Sequence, residues 1–332
     1  MKKPRSRLVV AALSIAAVLG SLVTAHAAGA DSGAANGSGA RAATRGGVLA
    51  NDFTAVDRTT AWNLTNTLDL KFPTYHPEGL AVVGDRMFLS STQIIEPTKM
   101  YPTPQDGYDR TPGKGIGHLF VIDRQGKLLK DIVLGEGDMY HPGGIDFDGR
   151  NIWVPLAQYR PGSSAIMYRV DATTLQAHKE FEVHDHIGGI VYDRTTGHLV
   201  GNNWGSRRFY EWTAQGRTVA TWDNPNHIVD FQDCQYVPDA RMLCSGLTTF
   251  GQNPAAGGTS ASYELGGLAL IDLRSHDILH EIPFQKWSAA GHVVTRNPLK
   301  VAADGHHLTL WAAPDNGEDV KGTQVFTFEA TV

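Results

Sequence analysis

Five segments of this chain repeat one loose pattern: a polar residue, a short glycine-rich or apolar strand, a turn, and a second apolar strand. They read His76-Pro77-Glu78-Gly79-Leu80, His141-Pro142-Gly143-Gly144-Ile145, His186-Ile187-Gly188-Gly189-Ile190, Asp230-Phe231-Gln232-Asp233-Cys234 and Asn297-Pro298-Leu299-Lys300-Val301. Their leading residues stand 65, 45, 44 and 67 positions apart. A four-stranded propeller blade takes about 40–45 residues, so the two long intervals each hold an excess of about twenty. That excess falls in a Pro-, Gly- and Asp-rich run from Gln93 to Gly115 and in a small-residue run from Gly251 to Ser262, both loops by composition. Beyond each, third and fourth strands resume, as His118 to Asp123 with Leu128 to Leu134, and Gly267 to Asp272 with Ile278 to Phe284.

The fifth unit runs out after three strands, and a spare strand, Leu64 to Phe72, stands at the other end of the domain. The expected fold is therefore an all-β propeller of about five four-stranded blades, closed by the N-terminal strand joining the last blade. Closure removes the exposed sheet edges that template aggregation. Six blades are the alternative, with Glu264 to Leu273 opening a blade of its own. A β-sandwich fits neither the period nor the spare strand.

Export is read from the first residues. Lys2, Lys3, Arg5 and Arg7 precede an apolar run from Leu8 to Val23, and Ala25-His26-Ala27 supplies the small residues of a cleavage site. These are the three parts of a secretory signal peptide over residues 1–27. The alternative, a membrane anchor, needs roughly 20 apolar residues. Residues 28–55 are mostly small and polar and are expected to be a flexible linker, with the propeller over 56–332. In the exported compartment Cys234 and Cys244 are expected to form a disulfide, with free thiols or a metal pair as alternatives. A formal net charge of −5 offers no basic footprint for nucleic acid. A secreted monomer with a small-molecule ligand and no stable membrane span after cleavage is expected.

Chemistry is expected at one mouth of the channel, where inner strands begin and second strands end. His76, His141, His186, Asp230 and Asn297 lead the inner strands, and Glu78 and Gln232 follow two residues later on the same face. Second strands bring Gln158, Tyr159, Asn203 and Trp204 to this end, with Arg160 and Arg207 just beyond. Three imidazoles with Asp230 or Glu78 make a ligand set for a divalent metal such as Zn, Mn, Fe or Ca. The catalytic candidates are His76, His141, His186 and Asp230, and the substrate-binding candidates are Glu78, Gln232, Asn297, Arg160 and Arg207. A metal-free ligand site and a structural ring of histidines around ordered water are the competing readings. Trp153 and Trp311 sit where blade core is expected. No Gly-x-Ser-x-Gly elbow, phosphate loop or dinucleotide fingerprint occurs in a credible setting.

With these motifs, the chain over residues 60–332 resembles an uncharacterised family of secreted actinobacterial and fungal propeller proteins. More distantly it is similar to the gluconolactonase and regucalcin group and to strictosidine-synthase-like propellers. Glu78-Gly79 resembles the start of the gluconolactonase metal motif, but histidines stand where its other ligands would be. A His-rich central site is more like that of seven-bladed lyases acting on uronides or on a lactone antibiotic. The resemblance implies a metal-dependent hydrolase or lyase, and a non-catalytic binding propeller is the alternative. If the signal peptide is read correctly, the exported protein begins at Ala28, and its intact mass matches that start; retention of residues 1–27 would contradict the reading.

Overall fold

The computed structural model describes residues 48–251, 263–317 and 322–332. The expected signal peptide, most of the expected linker and most of the second insertion lie outside the described residues.

The first strand, β1 (Asn63–Asp69), is set aside for the end of the ring. Blade one comprises β2 (His76–Val83) and β3 (Arg86–Glu96) and then, after a hairpin of β4 (Met100–Gln105) and β5 (Tyr108–Arg110), β6 (Lys114–Asp123) and β7 (Leu128–Leu134). In blade two the inner strand is split into β8 (Met139–Pro142) and β9 (Asp146–Phe147), followed by β10 (Asn151–Gln158), β11 (Ala165–Asp171) and β12 (Ala177–Val183). Blade three is β13 (Ile187–Asp193), β14 (His198–Asn203), β15 (Arg208–Thr213) and β16 (Thr218–Asp223). Blade four is β17 (Asp230–Val237), β18 (Arg241–Phe250), β19 (Tyr263–Asp272) and β20 (Ile278–Phe284). Blade five is β21 (Leu299–Asp304), β22 (His307–Ala312) and β23 (Gln324–Thr331), and β1 pairs antiparallel with β23 as its outer strand. The protein is thus a five-bladed β-propeller closed by its N-terminal strand, and the six-bladed alternative falls because Glu264 to Leu273 belongs to β19 of blade four.

Local chemistry sets the turns. Asp123, Asp171 and Asp272 end third strands, and each accepts two backbone N–H groups of the following turn through Oδ1. Trp153 is buried in the core between blades two and three, and Trp311 packs beside blades one and five, as expected of blade core. Cys234 and Cys244 face each other across β17 and β18 and form the expected disulfide.

Two expectations from composition are corrected. The Gln93 to Gly115 run is not a loop: β3 and β6 continue to Glu96 and Lys114, and β4 and β5 form a paired arm beyond them. Pro102 and Pro104 are tolerated because β4 pairs only with β5, so a missing N–H on its other side costs nothing. The linker reading also ends too late. Residues 48–55 are helical, and Leu49, Ala50 and Phe53 are buried with Val56 and Trp62 against blades four and five. Full burial of a side chain like Phe53 contributes about 1.5–3 kcal/mol, enough to order a short segment that looks polar on average.

At the hub the inner strands touch. Gly144 N–H donates to the Gly188 carbonyl at 2.9 Å and Ile190 N–H to the Gly144 carbonyl at 3.2 Å, joining blades two and three directly. Asp233 on β17 of blade four joins the others. Its Oδ2 accepts the N–H of Leu80 in blade one at 2.9 Å and of Leu299 in blade five at 3.2 Å, while Oδ1 accepts the N–H of Ile145 in blade two at 3.1 Å. Glycine at the matching repeat positions makes room: a Cβ on Gly144 would stand 2.6 Å from Asp233 Oδ1. Farther along the axis, Asp146 Oδ2 accepts the N–H of Tyr192 and of Tyr236, and the Gln235 amide bonds both backbone groups of Val301. Burial pushes the Asp233 carboxyl up to about 8, against the pull of the Leu80 and Leu299 amides and of Lys300.

Asp233→Asn replaces an acceptor with an N–H₂ group aimed at backbone donors, and each orphaned buried amide costs about 1–3 kcal/mol. The variant should lose about 2–5 kcal/mol in urea titration; a loss under about 0.5 kcal/mol, the size of an ordinary surface change, would show that the hub does not depend on this carboxylate.

Candidate functional site

A recurring bulge aims side chains at the channel mouth. In β2 the pairing with β3 skips Glu78, in β13 the pairing with β14 skips Gly188, and in β17 the pairing with β18 skips Gln232. These are the same repeat position, and an extra residue in one strand re-aims its side chain. Glu78 is the carboxylate of the set. It turns under the leading residue of its own blade, so that His76 Nε2 lies 2.7 Å and His141 Nε2 lies 3.1 Å from the same Glu78 oxygen.

His76, Glu78 and His141 are the one group of three or more metal-binding side chains, among the described residues, whose donor atoms lie within 4.8 Å of one another. Glu78 and His141 are buried, and His76 is partly so. The His141 ring stacks on Tyr159 with centroids 4.0 Å apart, which fixes its plane. Its Nε2 is near Glu78 but out of hydrogen-bond alignment, and neither ring nitrogen has a hydrogen-bond partner among the described residues. Asn316 hydrogen-bonds His76 and in turn accepts from Asn297 Nδ2 at 3.4 Å.

His186 stands beside this group, its centroid 5.5 Å from that of His141, and Trp204 packs edge-on against it. Its Nδ1–H donates to the Gln158 carbonyl at 2.7 Å, leaving Nε2 as the lone-pair nitrogen. Burial, reinforced by His141, pushes His186 down to about 3. For His76, burial opposes the charge, but the Coulomb attraction and hydrogen bond of Glu78 outweigh it and raise the pKa. Burial likewise opposes ionisation of Glu78, and the two histidines overcome it and hold the carboxyl well below the usual range. Burial and the Glu78 charge push the Tyr159 phenol up to about 12.

These side chains wall one cavity of about 280 Å³, shared with Asn202, Asn203, Trp204, Asp230, Gln232, Arg296 and Asn297. The expected site residues divide there. His76, Glu78, His141, His186, Gln232 and Asn297 all line it. Asp230 lies in the wall but outside the close donor group, and its carboxylate pairs with Arg207 at 2.7 Å. Arg207 and Arg160 do not line the cavity: Arg207 also binds the carbonyls of Gly205 and Asn226, and Arg160 lies 3.4 Å over the Tyr108 ring of the blade-one arm. Arg160 Nε also donates to Gln158 Oε1 at 2.8 Å, and loop position in a sequence does not reveal such local partners. Arg296 and Asn202 are polar wall residues that sequence reasoning missed. Arg296 directly precedes Asn297, so its place beside a leading residue was the available signal.

Over residues 40–332 the chain matches the family of unknown function DUF6454. The chain belongs to DUF6454. No curated protein matches the sequence. Among solved structures it is similar to a hypothetical protein from Leishmania major, at 8% identity and a TM-score of 0.44 over 85% of this chain and 93% of that one. A luciferin-regenerating enzyme is similar at 8% identity and a TM-score of 0.43, covering 80% and 95%. Hydrazine synthase of Kuenenia stuttgartiensis is similar at 14% identity and a TM-score of 0.39, over 74% of this chain and 58% of that one.

In metal-free protein, imidazole ¹⁵N shifts should report His186 as neutral, with its proton on Nδ1, from pH 8 down to pH 4. His76 should keep its second proton to a higher pH than an isolated histidine. A His186 that titrates in the ordinary range would contradict the burial and carbonyl contact assigned to it.

Proposed function

We propose that this propeller is exported and holds a divalent metal ion at its channel mouth through His76, Glu78 and His141, serving hydrolysis of, or elimination from, a small polar molecule in the cavity. One observation carries the reading: three donor atoms of metal-binding type converge inside a cavity, and among the described residues buried His141 has no partner on Nδ1 and only the Glu78 ion pair, at 3.1 Å, beside Nε2. Buried polar atoms are nearly always satisfied, so a buried imidazole without an aligned hydrogen bond, beside His76 and Glu78, fits a coordinating role. Two imidazoles and a carboxylate suit Zn, Mn or Fe better than Ca, which prefers an all-oxygen shell. Three protein ligands are the number found at catalytic rather than closed structural sites. When bound, such an ion supplies Lewis acidity next to the ligand.

The chain's own residues hold the arrangement. Tyr159 fixes the plane of His141, the Gln158 carbonyl fixes the tautomer of His186, and Asn316 supports His76. A pKa near 3 makes His186 a poor general base at neutral pH, which favours a neutral donor or hydrogen-bond acceptor. Export is supported by the N-terminal signal pattern and by the disulfide, which suits an oxidising compartment. No helix among the described residues is long and apolar enough to cross a membrane.

Elemental analysis of dialysed protein should find about one divalent transition metal per chain, lost in His76→Ala/His141→Ala with the circular dichroism unchanged. Turnover of small esters, lactones or uronides should fall with the metal on chelation. Wild-type protein that takes up no Zn, Mn or Fe at micromolar free metal would overturn the reading.

A further inference from the structure

Arg296 brings a cationic side chain to the same cavity, and it is not engaged as Arg207 is. Arg296 lines the wall with His76, Glu78 and His141. It is close enough to His76 and Tyr159 for its charge to act on both. Its Nη1 is buried and has no hydrogen-bond partner among the described residues. Among the described residues its one ion-pair partner is Glu264, with Nε to Oε1 at 3.6 Å, beyond hydrogen-bond distance.

Glu264 is itself occupied. Its Oε1 receives His292 Nδ1 at 3.1 Å and its Oε2 accepts the Val293 N–H at 2.8 Å. It therefore anchors the guanidinium by charge while leaving the fork donors unspent. Arg207 is the contrast: it pairs with Asp230 at 2.7 Å and spends its other donors on carbonyls and the Ser206 hydroxyl. Formal charges agree. The rim pair Asp230–Arg207 cancels, as does Glu264 with Arg296, so a divalent ion held by one carboxylate leaves the cavity net positive.

We propose that the cavity takes a carboxylate-bearing small molecule, with Arg296 as the residue that receives the carboxylate next to the metal. A planar guanidinium with free N–H donors matches a carboxylate in two-point geometry, which a point charge does not reproduce. Asn202 and Gln232 line the same cavity and keep amide oxygens for hydroxyl substituents of the same molecule, whereas the Asn203 amide is spent on Asp185 and the Arg208 N–H. Trp204 and Tyr159 give it an aromatic side. The assignment rests on the metal reading for the second anchor, while Arg296 supplies the selectivity for negative charge.

Isothermal titration of Zn-loaded protein with glycolate, and with glycolamide as the neutral counterpart, tests it, with zinc counted in every sample. Wild type should bind glycolate at least ten-fold more tightly than glycolamide. Arg296→Gln should keep its zinc and lose at least ten-fold in glycolate affinity, leaving glycolamide unchanged. Arg296→Lys should fall between them, because it keeps the charge without the fork. Zinc uptake and thermal melting serve as the fold check for both variants. Equal affinity for the two probes in wild type, or glycolate binding that is the same in Arg296→Gln and wild type, would overturn the proposal while leaving the metal site standing. Protein that takes up no zinc yet binds glycolate in an Arg296-dependent way would instead sink the metal reading and keep the carboxylate assignment.

Discussion

One carboxylate stands at the centre of the ring. Asp233 accepts N–H groups from inner strands of three other blades, and Gly144 ties the remaining blade to this set through Gly188. A ring of only five blades brings its inner strands so close that backbone amides point at one another's space. Those donors need acceptors where water has little room, and an unpaired buried N–H is costly. Asp233 answers that need for three strands at once. The price is a buried acid whose ionisation burial opposes, with Lys300 and the amides pulling the other way.

The same crowding shapes the site. Asp233 and its neighbouring glycines pack the hub, and a cavity lies at the end where the inner strands begin. Bulges at Glu78, Gly188 and Gln232 place one extra residue per strand at that mouth. In blade one the extra residue is an acid, in blade three it is glycine, and in blade four it is an amide. A symmetric scaffold thereby yields an asymmetric site, with Glu78 flanked by His76 and His141 on one side and amides on the other. The arm of blade one adds to this end: Arg110 lies 5.1 Å over the Trp204 ring of blade three, so the insertion reaches across part of the mouth.

Much of this was legible before any coordinates. The repeated His-Pro and Gly-Gly segments marked the inner strands, the long intervals marked the insertions, and the spare Leu64 strand marked the closure. His76, His141, His186, Glu78, Gln232 and Asn297 were legible as a set because each occupies a matching position in its repeat. Arg160 and Arg207 sit at loop positions, where the sequence does not show whether an arginine meets a neighbour before it meets a ligand. Tyr108 and Asp230, which occupy them, are 52 and 23 residues away in the chain. The arm was misjudged because proline content speaks against a central strand but not against an edge.

The sequence by itself determined the period, the propeller class and the leading residues of the inner strands, because alternation and repeat spacing are local properties of the chain, while the structure decided five blades over six. Only the tertiary structure decided which of those side chains meet. Donor atoms within 4.8 Å of one another, and an imidazole and an arginine Nη1 without hydrogen-bond partners among the described residues, depend on bulge position, ring diameter and the competition among neighbours for each charge. Those are pairwise distances across blades, and no spacing along the chain encodes them.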